Sequence, residues 1–286
     1  MDQQVTVADI NADQVDYWSG ETGEKWAAGQ DELDTMLAPF GKAAIEAVAL
    51  QPGDHVVDVG CGCGDTSFEL ASRVGPMGSV LAIDVSAPML QRAGERLGDA
   101  ALGNLRFAMA DASAFGFEPE ATDVVFSRFG VMFFRNPVDA FANLKAALRP
   151  GGRLGFVCWR SLDQNMWVSV PRDAALKHLP PPEPVSPDEP GPFAFADAEK
   201  VTDILRDAGF NGIVLERFDT KVRNIGSLDD VTEFVATMGP VSRLLDEVEG
   251  EVRERAIDEV RDALASHHDG QALHLSAATW IVTAKA

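Results

Sequence analysis

The stretch His55-Val56-Val57-Asp58-Val59-Gly60-Cys61-Gly62-Cys63-Gly64-Asp65-Thr66 constrains the fold more than any other part of the chain. A β-branched run breaks into three alternate glycines and then into a helical pattern, which predicts a strand, a tight turn and a helix start. Backbone without Cβ atoms lets a ligand approach closely, and the free N–H groups opening the helix favour negative charge. Asp84 ends the next strand-like run about 20 residues beyond the last glycine, where doubly wound nucleotide-binding sheets set a carboxylate for a ribose diol. Together the two signals predict an adenosine-type cofactor.

The glycine spacing narrows the choice. A dinucleotide site reads G-x-G-x-x-G, but Asp65 stands where the third glycine belongs and Gly64 closes a G-x-G-x-G pattern instead. A P-loop needs G-x-x-x-x-G-K-[ST], and no lysine follows Gly64. With Asp58 at its head, the segment resembles motif I of the class I methyltransferases that use S-adenosylmethionine, D-x-G-C-G-x-G. The resemblance runs from roughly Asp13 to Ala286, and the turn L-R-P-G-G-R-L at residues 148–154 agrees with it. The run F-G-V-M-F-F-R-N-P-V-D-A-F at 129–141 is similar to the group containing the ubiquinone and menaquinone C-methyltransferases. The proline-rich insertion and the acidic helical stretch after residue 226 depart from those quinone enzymes. The implied fold is α/β: a doubly wound, Rossmann-like, seven-stranded sheet with an antiparallel terminal strand and helical lid insertions.

Composition excludes several classes. With 286 residues, 46% of them hydrophobic, the chain can build a continuous core. A formal net charge of −21 repels a phosphate backbone and an anionic membrane surface, so no nucleic acid partner and no membrane insertion are expected. Cys61, Cys63 and Cys158 form neither a disulfide framework nor a zinc spacing, so no metal site is expected. The start Met1-Asp2-Gln3-Gln4-Val5 has no basic, apolar leader, and nowhere do 18 apolar residues run together, which predicts a cytoplasmic location. The resemblance leaves monomer and homodimer open.

Alternating strand and helix patterns run from His55 to Trp159, with strands at Val80–Asp84, Leu105–Met109, Asp123–Ser127 and Arg153–Trp159. A helix beginning at Leu33 is expected to start or kink at Pro39. Residues 161–196 crowd Pro180, Pro181, Pro182, Pro184, Pro187, Pro190 and Pro192 behind a short helix around Trp167 to Leu179, which predicts a semi-rigid loop. A helix over Asp197 to Ala208 takes Asp197 as its cap and Gly209 as its stop, and a strand falls within 213–222. In the helical stretch after Ser227, one stripe joins Val241, Leu244, Leu245, Val248, Val252, Ile257, Val260 and Leu264. The expected divisions are an N-terminal lid segment 1–30, a cofactor core 31–160, a lid insertion 161–196, a core continuation 197–226, a helical lid 227–270 and a terminal strand 271–286.

The strand ends nominate the site, because open α/β sheets bind ligands beyond their carboxyl edges. The resemblance implies that Gly60, Cys61, Gly62 and Gly64 form the turn against the amino-acid part of S-adenosylmethionine, with Asp58 accepting from its ammonium directly or through water. Asp84 takes the ribose hydroxyls, with Val85 and Met89 beside the adenine. Asp111 and Ala112 read the adenine edge, unless they only open a helix; Ser127, Arg128 and Phe129 line the methionine side. Tyr17 and Trp26 either pack as loose aromatics or close over the cofactor. For an acceptor that needs a base, His178 leads, ahead of Asp163, His267, His268 and His274. Met132, Phe133, Trp159, Trp167 and Met238 are expected to bind an apolar acceptor, with Met166, Phe193 and Phe195 as further candidates. The implied reaction is methyl transfer to a small, apolar or aromatic acceptor, leaving S-adenosylhomocysteine. Its rivals are an NAD-dependent oxidoreductase and a cofactor-binding protein without turnover.

Overall fold

The β-branched run at His55–Val59 forms β1, and every residue after His55 in it is buried. Parallel neighbours flank it on both sides: β2 (Ser79–Asp84) on one and β4 (Thr122–Arg128) on the other. β3 (Leu105–Met109) continues beyond β2, and β5 (Leu148–Trp159) beyond β4. β7 (Ala272–Lys285) pairs antiparallel with β5, and β6 (Asn211–Ile225) pairs antiparallel with β7. The seven-stranded order is therefore β3-β2-β1-β4-β5-β7-β6. This computed structural model describes residues 11–100, 102–182, 186 and 189–286, so the opening residues 1–10 and Pro184 and Pro187 of the expected loop lie outside the described residues.

Helices cover both faces. In order they are α1 (Ala12–Ser19), α2 (Glu21–Ala28), α3 (Gln30–Ala47), α4 (Asp65–Val74), α5 (Ala87–Ala100) and α6 (Pro137–Ala147). Then come α7 (Met166–Ala175), α8 (Ala198–Asp207), α9 (Leu228–Thr237), α10 (Pro240–Asp246) and α11 (Gly250–Ala265). Successive residues of β5 show the two layers, since side chains alternate across a strand. A Cβ on Gly155 would lie 2.7 Å from Val48 at the end of α3, whereas Phe156 packs 5.6 Å from Phe141 of α6. Phe40, Phe126, Phe141 and Phe156 have no exposed surface, and burying a side chain of this size stabilises by about 1.5–3 kcal/mol.

Helix signals work where a local group satisfies the end. Asp197 caps α8 by accepting from Glu199 N and Lys200 N, and Ser227 and Asp230 form a reciprocal capping box at α9. Two expectations are met in part. Pro39 does not start a helix but lies inside α3, flanked by the buried Met36, Leu37 and Phe40. The stripe from Val241 to Leu264 is split between α10 and α11, yet all of its residues except the exposed Val252 pack on one core.

α7, α9, α10 and α11 pack together on a second core that contains Leu179, Val231, Val241, Leu245, Val260 and Leu264 and joins Leu273 and Leu275 of β7. No described helix is long and apolar enough to cross a membrane.

Candidate active site

The chain reverses its winding between β1 and β4, and a cavity of about 490 Å³ lies at the ends of these strands. Gly60 and Gly130 let the two ends approach closely beside it. Gly60 has φ +68°, and a Cβ on it would lie 2.7 Å from Gly130 Cα; one on Gly130 would lie 2.8 Å from Gly60 Cα. Two strand ends thus meet backbone to backbone. Gly130 went unnoticed in the sequence, although its place after β4 carried the signal.

Gly60, Cys61, Gly62 and Cys63 form the floor of one end. Asp84 ties this floor to β2: its Oδ2 accepts from Gly62 N at 2.7 Å and its Oδ1 from Ser86 N at 2.9 Å. Burial raises the Asp84 carboxyl above the ordinary carboxylate range, and the backbone donors at Ser86, Gly62 and Val85 pull the other way. Val85, Met89, Asp111 and Ala112 complete this end, together with Arg128 and Phe129.

Phe129 has φ +64°, an uncommon backbone for an aromatic residue, and its ring stacks on Trp159 at 4.2 Å and 10°. That conformation turns the chain out of β4 while Phe129 N still donates to Val157 O at 3.1 Å. The opposite end of the cavity is apolar. Met132, Phe133, Trp159, Trp167 and Met238 line it, as do Leu37, Val222, Phe234, Leu273 and Leu275.

The domain match to a "Methyltransferase domain" family covers residues 56–152, the part that carries the glycine turn and the ends of β2, β3 and β4. Aklanonic acid methyltransferase DauC of a Streptomyces species is 31% identical over 51% of this chain and 69% of its own length. The chain belongs to the class I S-adenosylmethionine-dependent methyltransferases. Nocamycin O-methyltransferase of Saccharothrix syringae is 31% identical over 61% of this chain and 65% of its own length. Ubiquinone/menaquinone biosynthesis C-methyltransferase UbiE of Ectopseudomonas mendocina is 38% identical over 45% and 52%. The chain therefore spans between about half and just over two thirds of these relatives' lengths. A Haemonchus contortus phosphoethanolamine N-methyltransferase 2 shares the fold, with TM-score 0.58 and 17% identity over 98% of this chain and 60% of that one. Family membership sets aside the NAD-dependent oxidoreductase that the glycine spacing already disfavoured.

Within this methyltransferase fold, most of the residues nominated for the cofactor and the acceptor meet in one place, while Asp58, Gly64, Ser127, every nominated base and three of the apolar candidates do not. Asp58 stands behind the cavity wall, fully buried, with Oδ2 accepting from Thr66 Oγ1 at 3.0 Å and Ser67 Oγ at 2.7 Å. It ties β1 to the start of α4 and does not line the cavity, which argues against a direct contact with a ligand ammonium and leaves the water-mediated one. Its Oδ1 has no hydrogen-bond partner, and burial pushes its carboxyl up to about 6. Ser127 is also walled off, donating to Val59 O at 2.8 Å, and Gly64 turns the chain into α4 with φ +86° against Phe107. His178 pairs with Glu259 at 3.3 Å between α7 and α11 and does not line the cavity, so its role as base is withdrawn. The other basic candidates fare alike: His268 contacts Gly226 O, His274 contacts Asp269, and neither they nor Asp163 and His267 line the cavity.

Phe195 belongs to the main core beside Phe141 and Phe156, and Phe193 packs against the same core. Met166 packs against the second core, so none of the three forms part of the cavity wall. Asp111 does line it, but both its carboxylate oxygens accept from Asn11 Nδ2, at 3.1 and 3.0 Å, and Oδ1 also accepts from Ser113. Asn11 escaped the sequence reading because its partner lies 100 residues away.

One face of α3 was also missed. Gln30, Leu33, Asp34 and Leu37 recur at helical spacing and all line the cavity. Asp34 pairs with Arg96 at 3.0 Å and faces Arg128 at 3.7 Å, while Arg128 also pairs with Asp65 at 2.7 Å. Burial, aided by Asp65, raises the Asp34 carboxyl; Arg128 and Arg96 oppose the rise. Tyr17 and Trp26 line the cavity, and Arg243 of α10 lies over the Tyr17 ring at 4.5 Å. α1 thus meets α10 across the opening.

Proposed function

We propose that this chain transfers the methyl group of S-adenosylmethionine to a small, apolar acceptor, and that the two ends of its cavity divide the work. The observation carrying this reading is the continuity of the glycine floor and Asp84 with the aromatic chamber of Phe133, Trp159 and Trp167. The residues fit the cofactor. A floor without Cβ atoms at Gly60 and Gly62 admits close approach, and the buried Asp84 carboxylate suits a vicinal diol. Arg128 offers a cation near the amino-acid end, while Val85 and Met89 offer apolar cover for a base. When bound, S-adenosylmethionine supplies an electrophilic methyl group on a sulfonium.

The chain's own part is alignment and exclusion of water. Holding an acceptor in line with a bound methyl group converts a bimolecular encounter into an oriented, effectively unimolecular one, worth up to about 7–11 kcal/mol. Phe129, Trp159 and Trp167 supply rigid walls for that purpose, with ring centroids 4.2 and 4.7 Å apart in sequence. Among the described residues no histidine lines the cavity, so approximation rather than a histidine base supports the rate. α1, α2, α7, α9 and α10 supply residues to the cover, which supports the lid role for those segments. Relatives named for nocamycin, aklanonic acid and quinone methylation support a small acceptor, and their names divide between O- and C-methylation.

Incubation with methyl-labelled S-adenosylmethionine and a panel of phenols, quinols and β-dicarbonyl compounds tests the proposal. The expected result is label in an organic-soluble product, lost on Trp167→Ala while S-adenosylhomocysteine still binds. Binding without transfer to any member of the panel would favour the cofactor-binding protein without turnover.

A further inference from the structure

At the apolar end of the cavity one polar side chain has nothing in the protein to satisfy it. Asn224 of β6 lies opposite Leu273 of β7, and Val222 lies opposite Leu275. Opposed residues, and residues two apart along a strand, share a face of the sheet. These four side chains form one block, and all four line the cavity. Val222, Leu273 and Leu275 are at most 2% exposed, and Asn224 only 8%. No hydrogen bond to the Asn224 carboxamide exists among the described residues.

The neighbouring polar groups behave differently. Thr237 Oγ1 donates to Glu233 O at 2.8 Å and Ser242 Oγ to Gly239 O at 2.8 Å, so both hydroxyls are spent within their own helices. The Asn224 carboxamide is not sealed in the core but opens onto the cavity, so its polar atoms are available to whatever fills that end. A carboxamide both donates and accepts, so it can match either a carbonyl or a hydroxyl oxygen. Its partners across and along the sheet, Val222, Leu273 and Leu275, are all apolar.

We propose that Asn224 reads an oxygen, carbonyl or hydroxyl, carried by an otherwise apolar acceptor, and thereby sets which acceptors are taken and how they lie. The word acceptor rests on the methyl-transfer reading; the binding preference does not. A site built around a hydrogen bond rejects the ligand that lacks it, because the protein group is then left unmatched.

A matched pair of probes tests this on the full chain: 2-naphthol and 2-methylnaphthalene, which differ by a hydroxyl for a methyl. Ligand-observed NMR titrations are run on the wild type and Asn224→Leu, with thermal unfolding and S-adenosylhomocysteine titration on the same samples. The preference for 2-naphthol is expected to fall about tenfold in Asn224→Leu, with 2-methylnaphthalene binding held or improved. The variant is expected to melt no lower than the wild type, since an unmatched carboxamide is exchanged for an apolar side chain of similar size. An unchanged preference, a lower melting temperature, or failure of both probes to bind the wild type overturns the inference. Failure of S-adenosylhomocysteine to bind overturns the methyl-transfer reading instead, while the probe ratio still decides the role of Asn224.

Discussion

The two ends of the cavity are built in different ways. The glycine end comes from the ends of four successive strands: Gly60 to Cys63 after β1, Asp84 closing β2, Asp111 after β3 and Arg128 closing β4. The aromatic end is assembled from parts distant in the chain, with Tyr17 from α1, Leu37 from α3, Trp167 from α7, Asn224 from β6 and Met238 after α9. The first is fixed by backbone geometry, where a single added methyl group meets main chain. The second is fixed by side-chain packing between separate elements, which tolerates exchange of one apolar residue for another. A family can therefore hold its cofactor end constant while the chamber beside it changes from one acceptor to the next.

The comparison is tested most severely at the glycines. Gly60 and Gly75 both have φ +68°, but a Cβ at Gly75 meets nothing within 4 Å whereas one at Gly60 strikes Gly130. Gly75→Ala is expected to destabilise by about 1–3 kcal/mol, the backbone strain alone, since φ +68° with ψ −173° is a region that only glycine adopts readily. Gly60→Ala adds a backbone collision and is expected to lose roughly 3–5 kcal/mol, along with measurable S-adenosylhomocysteine binding. Urea unfolding of both variants checks the pair. Equal losses would mean that the closeness of β1 and β4 is not what fixes this end.

Asp58 sharpens the comparison through pH. Folding raises its carboxyl from the ordinary value near 4 to about 6, chiefly by burial, with Ser67 and Thr66 opposing. Between these values the folded chain holds the proton more tightly than the unfolded one. Stability from this group is therefore present at pH 4 and lost as pH rises through 6, by about 3 kcal/mol in all. Asp58→Asn lacks this dependence, so the wild type is expected to lose stability relative to the variant between pH 4 and 7. Parallel unfolding profiles for the two proteins would contradict it.

The smallest effect belongs to the cover. Arg243 over the Tyr17 ring joins α10 to α1 at an exposed site, where such a contact is worth about 0.5–1 kcal/mol. Arg243→Ala is expected to speed amide hydrogen exchange in α1 severalfold and to leave exchange in β1 and β2 unchanged. No change in α1 would mean that the contact does not hold the cover.

What the sequence made legible follows the same division. The alternation of strands and helices, the α8 cap and the limits of β3 come from local signals, and the turn and Asp84 come from a motif and its fixed spacing to the next strand end. Asp58 had the right place in the motif, but which way its carboxylate points depends on Thr66 and Ser67 one helical turn later. Lone histidines gave no usable signal; His178 ends beside Glu259, a residue 81 positions away. Asn11, Asp34, Gly130 and Asn224 depend on which elements become neighbours, and no spacing in the chain announces that. The helical recurrence of Gln30, Leu33, Asp34 and Leu37 was visible, but a polar residue within an apolar stripe reads as the stripe's edge until the cavity is seen beside it.

The division of the cavity is tested most directly by calorimetric titration of S-adenosylhomocysteine into the wild type, Asp84→Ala and Trp167→Ala. One molecule per chain is expected in the wild type, no detectable binding in Asp84→Ala, and affinity within about threefold of wild type in Trp167→Ala. Binding that survives in Asp84→Ala, or that vanishes in Trp167→Ala with the fold intact, would contradict the assignment of the cofactor to the glycine end.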